Sequence, residues 1–151
     1  MRLCIAGSRG IYGEEAREIV RQAVAAAMNK FGCTMDDVDE IVSGMCPNSP
    51  DMIAVEGATR ANIKLKPFPA NWDDIGIKGA AIRTRRDGTQ YNIKAGIQRN
   101  SDMAKYLSKG KDSLCVIVWD GESTGSKDMA SACKLYGVNH LVWDVTKNGP
   151  V

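Results

Sequence analysis

The segment from Ser113 to Met129, which reads SLCVIVWDGESTGSKDM, decides the fold class of this chain. It opens with the continuous apolar run Leu114–Trp119, which is β-branched at its centre and about as long as one strand. Such an unbroken run is typical of a strand that is covered on both faces, as in the parallel sheets of α/β domains. The run ends in a small polar loop, Asp120–Gly125. Ser126 is then predicted to cap a helix that ends at Gly137.

A strand, a glycine-containing loop and a helix N-terminus in succession favour the binding of an anion. The first amide N–H groups of a helix have no intrahelical partner, and the helix dipole attracts negative charge. In a parallel sheet these groups lie at the carboxyl edge, where phosphate groups are commonly bound. We therefore predict an anion site between the loop after the first strand, Gly7–Gly13, and the Asp120–Ser126 loop.

The rest of the chain alternates strands with helices, which predicts right-handed βαβ crossovers and a mainly parallel sheet. Further strands are predicted at residues 2–7, 39–44, 63–68 and 137–145. The prediction is an α/β fold: one Rossmann-like, three-layer α/β/α domain over residues 1–151, with five strands in the order 3-2-1-4-5. Residues 75–94 are predicted to form an inserted hairpin or loop excursion around Asp87-Gly88. Residues 147–151 are predicted to be a tail.

Two familiar nucleotide-binding motifs do not match. The first loop, GSRGIYG at Gly7–Gly13, spaces its first two glycines three apart, where the dinucleotide fingerprint needs two. The second strand also ends in Ser43-Gly44 rather than in an acidic residue. The stretch Gly121–Lys127 is one residue shorter than a P-loop and ends in Ser-Lys. Neither an NAD dehydrogenase nor a P-loop NTPase is predicted, and no cofactor is expected.

Composition indicates a cytoplasmic protein. The five cysteines are scattered without metal-ligand or redox spacing, so they are interpreted as buried thiols in a reducing compartment, and no metal site is predicted. The N-terminal apolar run Leu3–Ala6 is too short for a signal peptide, and no segment reaches membrane-spanning length. His140, the only histidine, is interpreted as a packed residue rather than a catalytic one.

Positive charge is concentrated between residues 78 and 111. This segment contains nine Lys and Arg residues against two Asp, whereas the whole chain has a formal net charge of only +2. Two interpretations stay open: a solvated helix face, or a surface for an anionic ligand or nucleic acid. The basic residues are Lys78, Arg83, Arg85, Arg86, Lys94, Arg99, Lys105, Lys109 and Lys111.

Several stretches together resemble one protein family. They are Asn71-Trp72 after Phe68-Pro69, then AGIQRNSDM at Ala95–Met103, and WDGESTGSKDM at Trp119–Met129; the opening Ile5–Arg9 agrees with them. In combination they resemble the YspA/YpsA-related branch of the SLOG superfamily, which also contains the DprA/Smf and LOG proteins. The similarity extends over nearly the whole chain. Small members of this branch are common in bacteria and their phages.

The resemblance implies a Rossmann-like fold that binds a nucleotide or a nucleotide-derived ligand, such as a nucleoside phosphate or an ADP-ribose-like molecule. Relatives commonly dimerise, so a homodimer is one expectation for this chain. The ligand-binding positions that the resemblance implies are Gly7, Ser8, Arg9, Ser43, Gly44, Arg99, Asn100, Gly121, Ser123, Gly125 and Ser126.

The resemblance leaves catalysis open. LOG enzymes cleave the N-glycosidic bond of cytokinin nucleotides with an acidic residue in a glycine-rich loop-to-helix motif, and Met129 occupies the matching position here. A carboxylate would stabilise an oxocarbenium-like transition state or orient water. A LOG-like enzyme therefore needs Asp120, Glu122 or Asp128 as a substitute. The Ser43–Asp51 stretch also departs from the family, and Asp51 is expected to take the place of a family aspartate in a loop of different shape.

Three hypotheses follow. The main one is a binding or sensor module for a nucleotide-derived small molecule. The first alternative is a LOG-like nucleotide N-glycosidase, or phosphoribohydrolase. The second is DprA-like binding of single-stranded nucleic acid through residues 78–111, which would weaken steeply with salt.

Overall fold

The computed structural model of the chain describes residues 1–76 and 79–151. Within these residues the chain forms eight strands: β1 (Arg2–Gly7), β2 (Glu40–Ser43), β3 (Lys64–Pro67), β4 (Ile82–Thr84), β5 (Gln90–Asn92), β6 (Leu114–Trp119), β7 (Asn139–Asp144) and β8 (Gly149–Pro150). The same residues form four α-helices and a short 3₁₀ helix, Met35–Asp37. The α-helices are α1 (Glu14–Phe31), α2 (Pro50–Ala61), α3 (Ala95–Ser108) and α4 (Thr124–Tyr136).

The main sheet of the described chain has six strands in the order β3-β2-β1-β6-β7-β8. The first five run parallel, and β8 runs antiparallel to β7. The predicted α/β class with a mainly parallel sheet is confirmed. The predicted count of five strands in the order 3-2-1-4-5 is wrong, because a sixth strand is added at the β7 edge.

Helices cover both faces of this sheet. Alternate residues of β6 enter two separate apolar clusters: Val116 belongs to the cluster with α1 and α2, and Ile117 belongs to the cluster with α3 and α4. Every residue of β6 except the last is buried, which confirms the prediction of a strand covered on both faces. Individual capping residues determine where these helices begin and end. Ser49 caps α2 before Pro50, and Gly137 ends α4 in the left-handed conformation.

Helix α4 begins earlier than predicted. The expected cap, Ser126, lies inside the first turn, and the helix starts at Thr124 after Ser123. The reason is the side chain of Asp120, whose role the spacing of residues in the sequence does not predict. The Asp120 carboxylate accepts hydrogen bonds from the amides of Glu122 and Ser123, and this closes the loop before Ser126 is reached.

The predicted tail is part of the sheet. Asp144 Oδ1 accepts hydrogen bonds from the amide and the hydroxyl of Thr146, at 2.9 and 2.6 Å, and so starts a turn. The chain then returns along β7, and the Val151 amide donates to the Val142 carbonyl at 2.8 Å. Proline lacks an amide hydrogen and cannot donate to a neighbouring strand. Pro150 is tolerated here because β8 is an edge strand.

The connection from β3 to α3 contains the antiparallel pair β4 and β5, which stands apart from the main sheet. The stretch that was predicted to be a hairpin or loop excursion thus contains a hairpin. Residues 77 and 78, which belong to that stretch, lie outside the described residues, and so does the basic residue Lys78. In the part of the chain that the structure describes, each helix is too short or too polar to cross a lipid bilayer.

Substitution of Gly7 by alanine should destabilise the fold. A Cβ atom at this position would lie 2.4 Å from Pro50 Cγ and 2.4 Å from the Val118 carbonyl oxygen, so neighbouring backbone must move. Overpacking of this kind typically costs about 1–3 kcal/mol. Gly57→Ala is the matched control, because a Cβ there meets open space in the middle of α2 and should stabilise by about 0.5–1 kcal/mol. Urea unfolding that gives the two variants equal stability would contradict this account of Gly7.

Candidate functional site

A cavity of about 370 Å³ lies at the carboxyl edge of the main sheet, where β1 and β6 end side by side. This cavity is referred to below as the cleft. Its walls come from six parts of the chain: the β1 end with the loop after it, the β2–α2 loop, the start of α2, the β3–α3 connection, α3, and the start of α4. The residues that line it are Ala6, Gly7, Arg9, Cys46, Asp51, Trp72, Ile93, Gly96, Ile97, Arg99, Asn100, Met103, Ser123, Thr124, Gly125, Ser126, Asp128 and Met129.

Two buried serines join the loops that follow β1 and β6. The hydroxyl oxygens of Ser8 and Ser126 are 2.9 Å apart, and the Asp120 amide donates to Ser8 Oγ at 3.1 Å. The Ser8 amide donates to the Val118 carbonyl at 3.0 Å. These hydrogen bonds hold the first turn of α4 against the end of β1. Ser126 contributes to the lining of the cleft, whereas Ser8 lies behind it.

The loop between β6 and α4 is built around Asp120. Its Oδ1 accepts from the amides of Ser123 at 2.7 Å and Glu122 at 2.9 Å. These hydrogen bonds, chiefly the one from Ser123, hold the pKa of the Asp120 carboxyl below its ordinary value. Asp120 is therefore an ionised loop cap, and neither it nor the exposed Glu122 lines the cleft. The first turn of α4, Thr124–Ser126, does line the cleft, and amides in a first helical turn have no intrahelical acceptor.

A chain of hydrogen bonds among residues that line the cleft links α3 to α4. Arg99 Nε donates to Asn100 Oδ1 at 3.0 Å, and Asn100 Nδ2 donates to Asp128 Oδ2 at 3.0 Å. The same amide nitrogen contacts the Gly125 carbonyl at 3.2 Å, and Arg99 Nη1 donates to the Gly44 carbonyl. Asn100 is buried, and its side-chain amide holds the Arg99 guanidinium at its oxygen and the Asp128 carboxylate at its nitrogen.

The first turn of α2 places Asp51 in the lining of the cleft. Ser43 is fully buried, and its hydroxyl donates to the Asp51 carbonyl at 2.8 Å. Asp51 Oδ2 accepts from the Cys46 amide at 3.2 Å. A Cβ atom at Gly44 would lie 2.6 Å from Arg99 Nη1 and 2.7 Å from Asp51 Oδ2, so a larger residue there would displace these side chains. Ser43 and Gly44 thus shape the site from behind without lining the cleft.

The Asp51 carboxyl is almost completely buried, with 3% of its residue surface exposed. Burial raises its pKa, because the charged form loses hydration. The Arg99 guanidinium and the amides of Cys46 and Gly7 act in the opposite direction but do not cancel the effect of burial. A carboxyl group in a cleft with a perturbed pKa is typical of functional sites.

One part of the cleft lining, referred to below as the apolar wall, consists of apolar side chains. It contains Trp72 and Ile93 from the β3–α3 connection, together with Ile97 from the first turn of α3. Buried Met103 and Met129 also contribute to the lining. The cleft lining therefore combines polar and charged groups with apolar side chains and an aromatic ring.

Seven of the eleven ligand-binding positions that were predicted line the cleft. They are Gly7, Arg9, Arg99, Asn100, Ser123, Gly125 and Ser126. The other four (Ser8, Ser43, Gly44 and Gly121) do not line it, and Gly121 instead occupies a left-handed turn position with φ of 88°. Of the three candidate catalytic carboxylates, Asp128 lines the cleft and Asp120 and Glu122 do not.

The residues that sequence analysis did not assign to the site come mainly from the apolar wall. The main ones are Trp72, Ile93 and Ile97. The signal for Trp72 and Ile93 was the long, unassigned connection before α3, whereas Ile97 lies in α3 itself. Cys46 was also missed. It was interpreted as a buried thiol, but it is partly exposed at the cleft, and Arg9 Nη2 contacts its sulfur at 3.5 Å. Cys33 is likewise partly exposed. The prediction of buried thiols is therefore confirmed for Cys4, Cys115 and Cys133 and is wrong for Cys33 and Cys46.

Two other cavities lie away from the cleft. One of about 840 Å³, at the amino-terminal edge of the sheet, is lined by Lys109 and Lys111 among other residues. Another of about 910 Å³ is an apolar groove between α1 and α2. The cleft is smaller than both, but it is where buried polar side chains and a perturbed carboxyl group converge. His140 on β7 belongs to none of these three linings, and its Nδ1 lies 2.9 Å from the Val138 carbonyl.

The basic segment does not form one face. Arg99 lines the cleft, Lys109 and Lys111 lie at the other edge of the sheet, and Arg85 pairs with Asp73 beside the β4–β5 hairpin. Binding of nucleic acid through this segment stays a prediction. Among residues 1–76 and 79–151, no group of three or more His, Cys, Asp or Glu side chains is arranged to hold a metal ion.

Comparison of the chain with protein-family models, with curated proteins and with solved structures gives no match. Membership of the SLOG superfamily therefore stays a prediction from the sequence motifs.

Buried Asp51 should give the stability of the protein a distinctive pH dependence. Its folded pKa is raised, so above the unfolded Asp pKa of about 3.9 the folded state binds more protons at this carboxyl than the unfolded state does. The free energy of unfolding should therefore fall, relative to Asp51→Asn, as the pH rises from about 4 through the folded pKa. Chemical unfolding at a series of pH values measures this difference.

Asp120→Asn is the control of opposite sign. The lowered pKa of Asp120 predicts stabilisation that is present above about pH 4 and is lost as the pH falls through its folded pKa. A wild-type minus Asp51→Asn difference that stays constant, or that grows with rising pH, would contradict the placement of Asp51.

Proposed function

We propose that this protein is a Rossmann-like binding or sensor module that holds a nucleotide-derived ligand in the cleft. The observation that carries the proposal is the convergence, in one cavity, of the first turn of α4 and the Arg99 guanidinium. Amides at a helix N-terminus and the planar fork of an arginine both favour phosphate oxygens. The volume of about 370 Å³ suits part of a nucleotide, since small-molecule sites measure roughly 300–1,000 Å³.

The carboxylates of the cleft favour a ligand that has hydroxyl groups as well as an anionic group. Asp128 Oδ2 accepts from Asn100, while Asp128 Oδ1 takes part in no hydrogen bond within the described residues. An ionised carboxylate can only accept hydrogen bonds, so it repels a bare anion and suits the hydroxyl groups of a ribose. A nucleoside phosphate combines both kinds of group at a separation that a single cleft can hold.

The resemblance to the YspA/YpsA-related branch of the SLOG superfamily supports the same ligand class. Seven of the positions that it implies line the cleft. Met129, at the position of the catalytic glutamate of LOG enzymes, is buried in the cleft wall and offers no proton-transfer group. This difference is why binding, rather than catalysis, is the first proposal.

Arg99→Ala should weaken the binding of a nucleoside monophosphate about tenfold or more, because a hydrogen bond to a charged group contributes roughly 1.5–3 kcal/mol. Arg99→Lys should recover only part of the affinity, since lysine keeps the charge but loses the fork. Isothermal titration calorimetry with AMP, GMP, CMP and UMP measures the effect. In a thermal-shift assay, ligand at 100 times its dissociation constant should raise the Tm of the wild type by about 5–10 °C.

The matched control is Arg21→Ala, since Arg21 is exposed on α1, pairs with Glu18 and lies outside the cleft. The melting temperature of each variant without ligand checks the fold, because Arg99 also bonds the Gly44 carbonyl. Equal affinity in wild type and Arg99→Ala would remove Arg99 from the site. A wild-type protein that binds none of the four nucleotides would overturn the proposed function.

The second candidate function is a nucleotide N-glycosidase, which the placement of Asp128 favours. Its carboxylate is the one predicted catalytic candidate in the cleft, and the Asn100 hydrogen bond orients it. In this role Asp128 would orient a water molecule or stabilise an oxocarbenium-like transition state. Water would then replace the base at the ribose, which releases free base and ribose 5-phosphate.

Asp128→Asn should lower release of free base about 100-fold or more if the protein is such an enzyme. Chromatography of products from nucleoside monophosphates measures the rate. Glu122→Gln serves as the control, because Glu122 is exposed outside the cleft. Binding without any release of base would leave the binding module as the function, and release that Asp128→Asn does not slow would exclude Asp128 as the catalytic residue.

A further inference from the structure

The apolar wall of the cleft contains large side chains that folding alone does not bury. Trp72 keeps 36% of its surface exposed, and Ile97 keeps 53%. Both line the cleft, next to the half-buried Ile93. Exposed apolar side chains that gather in one cavity, facing polar groups, are typical of a ligand-binding wall.

The position of Trp72 is set by the chain around it. The Asn92 amide donates to the Trp72 carbonyl at 2.7 Å, so the end of β5 holds the backbone of the tryptophan. Arg85 on the hairpin side pairs with the neighbouring Asp73 at 3.3 Å. The hairpin therefore acts as a support that presents the indole ring at the cleft.

The indole ring reaches the cleft across Gly96. A Cβ atom at Gly96 would lie 3.0 Å from Trp72 Cη2 and 3.6 Å from Cζ2, so the glycine leaves room for the ring edge against the first turn of α3. Ile97 follows directly, and Arg99 lies half a turn further along the same helix. The helix thus contributes to both the apolar wall and the charged side of one cavity.

We infer that Trp72, with Ile97 beside it, is the platform on which the ligand stacks a planar aromatic ring while its phosphate lies toward Arg99 and the first turn of α4. The inference rests on the proposed function and names the part of the ligand that the apolar wall recognises: the nucleobase. Stacking on a tryptophan tolerates every base, since each has a π-face. The platform thus distinguishes nucleotides from sugar phosphates more strongly than it distinguishes one base from another.

The test compares AMP, GMP, CMP and UMP with ribose 5-phosphate, which lacks only the base. Wild-type protein should bind at least one nucleotide about tenfold or more tighter than ribose 5-phosphate in calorimetric titration. Trp72→Ala should lose this preference while its affinity for ribose 5-phosphate stays the same. Trp72→Phe should keep most of the preference, since a phenyl ring still stacks.

Leu135→Ala is the matched control, because Leu135 is a 79% exposed apolar residue on α4 that lies outside the cleft. Circular dichroism and the melting temperature establish that each variant is folded, and Trp72→Phe provides a second, milder change if the alanine variant is unstable. In wild type and Leu135→Ala, nucleotide binding should quench part of the tryptophan fluorescence, and this part should be absent in Trp72→Phe.

The possible results separate the two proposals. If wild-type protein binds ribose 5-phosphate and nucleotides equally, or if Trp72→Ala and Trp72→Phe both keep the full preference for nucleotides, the platform is overturned while the phosphate site stands. If wild-type protein binds neither the nucleotides nor ribose 5-phosphate, the proposed function fails and the platform fails with it.

Discussion

Parallel pairing of β1 with β6 is the constraint on which the cleft depends. Five residue pairs, from Leu3–Leu114 to Gly7–Val118, bring the two strands to an end at the same level. Gly7 has no side chain, so Pro50 and the Val118 carbonyl can close over it. The Ser8–Ser126 contact then fixes the start of α4 beside the end of β1. Without this pairing, the first turn of α4 would have no fixed relation to the loop after β1.

The buried polar groups of the cleft depend on one another for hydrogen bonds and for compensation of charge. Burial of a carboxylate is costly unless hydrogen bonds or an opposite charge compensate it. Asp51 has the Cys46 amide and the field of Arg99, and Asp128 has Asn100. Partial compensation leaves the pKa of Asp51 raised, and perturbed pKa values cluster at functional sites.

Much of the fold follows from local patterns. The apolar run of β6, the Gly137 stop of α4 and the alternation of strands with helices are patterns within the sequence, and the structure contains the elements they predict. Two predictions were wrong because longer-range or side-chain contacts decide them. Asp120 closes its loop early and so moves the start of α4, and β8 forms because Val142 offers a carbonyl to Val151.

The candidate site, like the fold, has some features that local sequence predicts and others that only tertiary contacts set. The sequence by itself determined the two loops that meet at the carboxyl edge, because glycine spacing, capping residues and strand order are encoded in neighbouring positions. A resemblance to a family motif also predicted Arg99 and Asn100 as ligand-binding positions, and both line the cleft. Only the tertiary structure decided that Ser8, Ser43 and Gly44 support the cleft from behind, and that Asp120 is a loop cap while Asp128 lines the cavity. It alone placed Trp72 and Ile97 in the lining of the same cavity. The physical reason is that these roles depend on distances between residues far apart in the chain, and such distances are set by packing of the whole fold rather than by local sequence.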